Sequence, residues 1–278
     1  VTENHPTEPQ VWRVFVDREF TAKLRVIKKD ADTKMTVLIP NTEFKIFNMD
    51  TNKYVEMITT YPSKKVHTSF FTDADGDLIL PDVLPLGNYR IEEVAAPFGY
   101  VLNENYVEVK VDTDTFYEVD PDTYEAIITV EYENAPAVGE LIIEKKGEVL
   151  DAYKGGLFAD SEDKEFVYKE GSLAGAKFEI YAAEDIYTAD MQTDENGNRN
   201  KYYAEGDLVA TVVTGEDGKA KVSDLPLGKY RVVEVEAPYG YVLNKEEQYV
   251  TFVYVDDKTP VIRESLTFAN DRQKVDLS

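Results

Sequence analysis

Two sets of residues, one in each half of the sequence, have the types and spacing to react with one another. Each set places a lysine, a glutamate and an asparagine on apolar faces of strand-like segments. In LRVIK, side chains alternate between the two faces of a strand, so Lys28 shares a face with Leu24 and Val26. Glu93 and Asn134 stand on apolar faces of their own segments in the same way. The corresponding residues of the second half are Lys145, Glu234 and Asn270.

A buried lysine and glutamate are costly unless they are paired, and this leaves two interpretations. In the first, the pair is an ordinary buried ion pair with the asparagine hydrogen-bonded beside it. In the second, burial favours the neutral amine and the protonated carboxyl, and the amine attacks the polarised asparagine amide. Ammonia leaves and a new amide joins the two side chains. Effective molarities on the order of 10⁵ M would drive this reaction without an external catalyst.

The two sets belong to an internal repeat that has the size of a domain. Residues 78–103 and 219–244 share LPLG, YR, an E-V pair, AP and GYVLN in the same order. Shorter matches on both sides of this segment keep that order as well. The repeat predicts one domain at 21–136 and a second at 139–272, with a short linker at Ala135–Val138.

Most segments of the repeat predict β-strands, because they are short, alternating and rich in β-branched or aromatic residues. Asp75-Gly76 and Asp217-Gly218 are typical of tight turns between strands. A long amphipathic helix is absent from the sequence. We therefore expect an all-β fold of two tandem immunoglobulin-like β-sandwiches. The expected strands include LRVIK, FKIF, YVEVKV, AIITVEY, KFEIY, YRVVEV, VTFVYV and ESLTF.

Three segments fall outside the repeat. An acidic insert at about 147–170 lengthens the second domain and is predicted to be a surface loop, with a short helix as an option. Residues 1–20 form an N-terminal tail in which 11–17 align with the last strand of the first copy, with Asp17 at the position of Asn134. Two interpretations stay open for them: the last strand of a third, upstream copy, or an edge strand of the first domain. Residues 273–278 form a C-terminal tail.

Composition excludes several classes of function. The formal net charge of −24 disfavours nucleic acid and anionic membrane surfaces as partners. The absence of cysteine removes disulfides, cysteine zinc sites and cysteine nucleophiles. The sequence shows no transmembrane helix, signal peptide or wall-sorting tail, so if the protein is exported we expect this chain to be an internal piece of a longer one.

No motif predicts a metal, a cofactor or a multiple-turnover enzyme. Asp73-x-Asp75-Gly76-Asp77 is similar to the start of a calcium loop, but Leu84 occupies the position of the final glutamate, so a hairpin turn is predicted. His5 and His67 are the two histidines, and neither has the neighbours of a triad or a zinc site.

These motifs resemble the Cna B-type, or SpaA-like, domains of Gram-positive pilins and adhesins. The start Lys28-Lys29-Asp30 is similar to the K-x-D first strand of that family. The segments 89–100 and 230–241 are similar to its "E box", Y-x-L-x-E-T-x-A-P-x-G-Y, apart from Val94 and Val235 at the usual threonine; Gly147 replaces the aspartate after Lys145. The resemblance implies isopeptide bonds Lys28–Asn134 and Lys145–Asn270, with Glu93 and Glu234 as the catalytic acids.

The resemblance also implies a function. It predicts a structural segment of a cell-surface stalk or pilin, outside the cell and anchored to the wall through a region beyond this chain. Its partners would be neighbouring domains of the same surface protein. The alternative is an adhesin module that binds a host or matrix ligand through the insert at 147–170 and the loop at 184–205. An exposed aromatic patch on those segments would favour the alternative.

Overall fold

A computed structural model describes residues 19–155 and 165–274 of the chain. This part of the chain is built of β-strands and contains no helix, and hence no helix able to cross a membrane. The predicted all-β fold is confirmed. The strands are β1 Thr21–Asp30, β2 Glu43–Asn48, β3 Lys53–Tyr54, β4 Met57–Thr59, β5 Lys65–His67, β6 Phe70–Phe71, β7 Asp77–Ile79, β8 Leu84–Pro85, β9 Gly87–Ala95, β10 Val107–Val111, β11 Glu118–Val119, β12 Ala126–Asn134, β13 Val138–Lys154, β14 Glu165–Ser172, β15 Lys177–Ala182, β16 Ile186–Tyr187, β17 Lys201–Tyr203, β18 Leu208–Val213, β19 Lys219–Pro226, β20 Gly228–Glu236, β21 Gln248–Phe252 and β22 Val261–Asn270.

The first sandwich consists of two sheets around one core. One sheet has the order β11–β12–β1–β7 with β8 on β1, and the other has the order β10–β9–β2–β3 with β6 on β2. The first and last long strands, β1 and β12, are parallel neighbours, from Ala22 opposite Ala126 to Asp30 opposite Asn134. Every second residue of β1 is buried, which sends its alternate side chains into the core that the two sheets share.

The second sandwich repeats this arrangement. Its sheets are β14–β13–β19 with β22 on β13, and β18–β15–β20–β21. Again the first and last strands are parallel neighbours, here from Val138 opposite Val261 to Gly147 opposite Asn270. A separate apolar core fills the space between the sheets. In both sandwiches the strand that enters the domain therefore lies beside the strand that leaves it.

The insert at 147–170 differs from its prediction. In the part that the structure describes, residues 147–155 and 165–170, the insert forms a β-ribbon: the end of β13 pairs with β14, from Lys146 opposite Ser172 to Lys154 opposite Glu165. For these residues the prediction of a loop or short helix is wrong. The many acidic residues of this segment led us to predict a loop. Its two strands nevertheless carry aromatic residues, which favour β-strands. The rings of Tyr153 and Phe166 pack across the ribbon with their centroids 5.0 Å apart.

The second sandwich contacts the first through the segment 184–205. The Asp190 carboxylate accepts a hydrogen bond from the Thr33 hydroxyl at 2.7 Å, and the Gln192 amide donates to the Thr36 carbonyl at 2.7 Å. Asp190 has no exposed surface, and the Thr188 hydroxyl and the Gln192 backbone N–H also donate to its carboxyl group. These bonds compensate for the burial of the carboxylate and hold the segment against the first domain.

A second contact arises where the strand VTFVYV ends earlier than predicted. Strand β21 stops at Phe252, and residues 253–257 leave the sheet towards the first sandwich. The Leu102 N–H donates to the Asp257 carbonyl at 2.7 Å, and the Tyr254 hydroxyl donates to the Tyr100 carbonyl at 3.2 Å. The prediction for residues 11–17 lies outside the described residues.

Candidate functional site

The structure brings Lys28, Glu93 and Asn134 together inside the first sandwich. Lys28 comes from β1, Asn134 from the neighbouring β12 and Glu93 from β9 of the opposite sheet. The Lys28 and Glu93 side chains have 0% exposed surface, and Asn134 is 2% exposed. Alternation along each strand explains this placement, because Val26, Ile91 and Tyr132 on the same faces are also buried. The site is therefore closed to water.

The lysine amine of this site contacts the amide group of the asparagine. Lys28 Nζ lies against Asn134 Oδ1 and is 3.3 Å from the Tyr132 carbonyl oxygen. The Asn134 amide nitrogen donates to Glu93 Oε2 at 2.6 Å and to the Val101 carbonyl at 2.7 Å. Both ends of the carboxamide are thus fixed, and its carbon lies within reach of the amine.

The two carboxyl oxygens of Glu93 face different partners. Oε1 is 3.2 Å from Lys28 Nζ, within the distance of an ion pair. Oε2 accepts from the Asn134 amide and from the Asn103 backbone N–H at 2.8 Å. One oxygen thus faces the amine that would lose a proton, and the other faces the nitrogen that would gain one.

The second sandwich contains the same constellation. Lys145 Nζ contacts Asn270 Oδ1 and is 3.2 Å from Glu234 Oε2, while the Asn270 amide nitrogen donates to Glu234 Oε1 at 2.8 Å. The Asn244 N–H donates to Glu234 Oε2 at 3.0 Å, on the oxygen that faces the lysine, whereas the Asn103 N–H donates to the Glu93 oxygen that faces the asparagine amide. The Lys145 and Glu234 side chains have 0% exposed surface. The predicted residues of both sets are therefore brought together.

Burial makes both lysines easier to deprotonate. Loss of hydration lowers the pKa of Lys28 to about 8 from its ordinary value of 10.5, against the opposing effect of the nearby Glu93 carboxylate. The pKa of Lys145 is lowered for the same reason, with Glu234 opposing. Near neutral pH a larger fraction of each amine is therefore unprotonated than for a lysine in water, and only the unprotonated amine is a nucleophile.

Sequence reasoning missed the role of the asparagine that ends each GYVLN segment. The Asn103 N–H holds Glu93, and the Asn103 side chain donates to the Glu133 carbonyl at 2.9 Å next to Asn134. Asn244 does the same for Glu234, through the Ala269 carbonyl at 3.1 Å. The signal was present, because GYVLN is one of the segments that both copies share.

Gly147, which stands where the family pattern has an aspartate after the lysine, also has a structural reason. In the first sandwich the equivalent Asp30 is fully buried and accepts a hydrogen bond from the Tyr100 hydroxyl at 2.6 Å. A Cβ atom at Gly147 would lie 2.9 Å from the Asn270 carbonyl oxygen and 2.6 Å from a Leu173 methyl group. The second sandwich therefore uses glycine where the first uses a buried aspartate.

The acidic turn at Asp73–Asp77 holds its own backbone. The Asp73 carboxylate accepts from the N–H groups of Asp75 at 2.9 Å and Asp77 at 3.1 Å, and Asp77 forms an ion pair with Arg25. Across residues 19–155 and 165–274, no group of three or more His, Cys, Asp or Glu residues has an arrangement that could hold a metal ion.

The family model described as the SpaA prealbumin-like fold domain matches residues 22–124 and 167–264, which together make up more than half of the chain. The chain belongs to the SpaA prealbumin-like family. The resemblance seen in the sequence is confirmed, and each of the two matched segments falls within one sandwich of this SpaA-family chain. One curated relative, the trypsin-resistant surface T6 protein of Streptococcus pyogenes, is 27% identical over 147 residues, which cover 51% of this chain and 25% of T6.

Solved structures similar to this SpaA-family chain include the TIE protein and several pilins. The Bacillus anthracis TIE protein is 24% identical, with a TM-score of 0.47 and coverage of 91% of this chain and 34% of that one. GBS52, the minor pilin of Streptococcus agalactiae, is 16% identical, with a TM-score of 0.32 and coverage of 92% and 98%. The chain thus spans a quarter of the T6 protein and about a third of the TIE protein.

Proposed function

We propose that this chain is a structural segment of an extracellular stalk or pilin, and that each sandwich closes its own Lys–Asn isopeptide bond. One observation carries the proposal. In both sandwiches a dry site holds the lysine amine against the asparagine amide, with the two glutamate oxygens divided between the amine and the amide nitrogen. An ordinary buried ion pair does not require the asparagine, yet both copies place it there.

The reaction balances within the three side chains. The neutral Lys28 amine attacks the Asn134 amide carbon, and a C–N bond forms between them. Glu93 accepts a proton from the attacking nitrogen through Oε1 and delivers one to the amide nitrogen through Oε2. The original C–N bond breaks, ammonia leaves and Glu93 returns to its starting protonation state. The bond forms once in each domain, so the activity is an autocatalytic, single-turnover reaction rather than that of an enzyme.

The bond would change how the protein bears tension. Force enters the first domain through β1 and leaves through β12, and Lys28 and Asn134 are 106 residues apart in sequence. A bond between them carries the force from one strand to its neighbour, and the residues between them bear none. The chain-entropy estimate gives about 5 kcal/mol of stabilisation for closing a loop of this length.

The relatives support this role. T6 is described as a surface protein, which supports the proposed extracellular location and the proposed attachment to neighbouring domains of a longer surface protein. The domain limits that we propose remain 21–136 and 139–272. The two separate cores, one drawn from residues 22–132 and the other from 141–268, support that division.

Proteolysis with tandem mass spectrometry tests the bonds directly. We expect branched peptides that join Lys28 to Asn134 and Lys145 to Asn270. The matched control, Asn134→Ala, should lose the first branched peptide and keep the second. Linear peptides that contain unmodified Lys28 and Asn134 in the wild-type protein would contradict the proposal.

Ligand binding is the second candidate function, and two observations favour it. Tyr153 and Phe166 are about half exposed on the ribbon of the insert, which provides the aromatic patch that this alternative requires. A cavity of about 400 Å³ also lies between the sandwiches, where Tyr187, Arg199 and Tyr202 of the segment 184–205 form part of its wall.

Immobilised extracellular-matrix proteins would serve as probes for this function. Loss of binding in a Tyr153→Ala, Phe166→Ala double variant would assign the ligand to the ribbon, and loss in Tyr202→Ala would assign it to the cavity. Equal signals from the wild type and from both variants would contradict the ligand-binding function of these two surfaces.

A further inference from the structure

The loop 97–103 of the first domain lies between the reaction site and the second domain. On its inner side, the Asn103 N–H donates to Glu93 at 2.8 Å, and the Val101 carbonyl accepts from the Asn134 amide at 2.7 Å. These two bonds orient the acid and the amide of the proposed reaction. Any contact that fixes this loop from outside therefore also affects the geometry of the site.

The second domain provides such contacts. The Leu102 N–H, one residue before Asn103, donates to the Asp257 carbonyl at 2.7 Å. The Asp257 carboxylate accepts from the Ala96 N–H at 3.2 Å, just beyond the end of the strand that carries Glu93. Asp257 thus contacts both the end of the strand that carries Glu93 and the loop that carries Asn103, the residue whose N–H donates to Glu93.

Tyr254 holds the middle of the same loop. Its hydroxyl donates to the Tyr100 carbonyl at 3.2 Å, and its ring packs edge-on against Phe98 with the centroids 4.7 Å apart. Ring packing of this kind fixes an orientation as well as burying apolar surface. Residues 96–102 are therefore held at four points by a single segment of the second domain.

The equivalent loop of the second domain is held differently. Tyr239, the counterpart of Phe98, is fully exposed. The Tyr241 carbonyl, the counterpart of that of Tyr100, accepts instead from the Gln273 side chain at 3.1 Å. Gln273 follows the last strand of the same domain. In the second domain, therefore, the loop is held by a residue of its own chain end and not by a residue of another domain. The two sites hold the same three side chains, but their loops are held from outside by different residues.

We infer that Tyr254 and Asp257 of the second domain are positioning residues for the Lys28–Asn134 bond of the first domain. The inference rests on the proposed isopeptide function. Near-attack geometry requires that the Glu93 oxygens stay divided between the amine and the amide, and a loosened loop would spend less time in that arrangement. The first bond would then close efficiently only after the second domain has docked, whereas the second bond would close independently of Tyr254 and Asp257.

Pulse-labelled cell-free synthesis of the full chain tests the inference. Samples are denatured at intervals, and the two branched peptides are quantified by mass spectrometry. A Tyr254→Phe, Asp257→Ala double variant should form the Lys28–Asn134 bond about tenfold more slowly, since tenfold in rate corresponds to about 1.4 kcal/mol, near the net value of one or two hydrogen bonds. The Lys145–Asn270 bond of the same molecules should form at the wild-type rate.

Asp257→Asn is the matched control, because its amide oxygen can still accept from the Ala96 N–H. With Tyr254 intact, it should restore most of the wild-type rate. A wild-type rate for the first bond in the double variant would overturn the inference, and so would an equal slowing of both bonds, which would indicate a general folding defect. Absence of both bonds from the wild-type protein would instead overturn the proposed function itself.

Discussion

Replacing Asn134 by alanine should make the first domain extensible under force. The variant removes the proposed bond but keeps the buried Lys28–Glu93 pair, whose amine and carboxyl are 3.2 Å apart, so the domain should still fold. If the proposed bond is in place, only residues 21–28 of the segment up to Asn134 lie in the path of the force in the wild type. They are already extended at about 3.3 Å per residue and can lengthen by only a few ångströms.

Without the bond, the segment between positions 28 and 134 is released. These positions are 106 residues apart, so at about 3.5 Å per residue the contour length should grow by about 370 Å. Adding Asn270→Ala should release the segment between positions 145 and 270, which are 125 residues apart, and give a second step of about 440 Å. The two step lengths differ enough to be assigned separately.

Single-molecule force spectroscopy of the chain between two reference domains measures these steps. The wild type should show neither step, Asn134→Ala the shorter one and the double variant both. A step of about 370 Å in the wild type would show that the first domain is not cross-linked. Its absence from Asn134→Ala would refute the path of force that we derive from the neighbouring strands β1 and β12.

Four further predictions follow from the same geometry. Glu93→Gln should leave both domains folded, keep the second bond and lose the first, with the melting temperature of the first domain lower by roughly 20 °C because about 5 kcal/mol of loop closure is absent; a branched Lys28 peptide formed at the wild-type rate would exclude Glu93 as the acid. Lys28→Ala should be less stable than Asn134→Ala by about 3–5 kcal/mol in denaturant titration, because it leaves Glu93 buried without its partner, and equal stabilities would contradict this. The free energy of unfolding of Asn134→Ala should rise between pH 8 and 10.5, because the folded Lys28, with its pKa lowered to about 8, binds fewer protons there than the unfolded lysine; a fall over that range would contradict the assigned burial. Deleting residues 1–18 should leave the melting temperature of the first domain unchanged if 11–17 belong to an upstream copy, whereas a marked loss of stability would favour the edge strand.

Alternation and repetition were sufficient to predict the inside of each sandwich. Period-two patterning placed Lys28 on the face of Leu24 and Val26, and the structure buries all three. The matched order of the two copies identified Glu93 and Asn134 as its partners before any distance was known. Such reasoning succeeds where one face of a strand is apolar, because that face has to point into a core.

The contacts between the two domains could not be predicted from alternation and repetition. Residues 253–255 continue the strand-like sequence of β21, yet the chain leaves the sheet after Phe252 to contact another domain. Asp190 reads as an ordinary acidic loop residue, although its burial depends on a hydroxyl of Thr33, which lies 157 residues away in sequence. Periodicity reports which face is apolar and carries no information on which neighbour meets an exposed backbone group.

The intact mass of the denatured protein tests the central claim most directly. Each proposed bond would form with the loss of one ammonia molecule from an amine and a carboxamide, with no reagent other than the chain. The wild-type chain should therefore be lighter than its sequence mass by two ammonia molecules, and Asn134→Ala lighter than its own sequence mass by one. A wild-type chain with its full sequence mass would contradict the account.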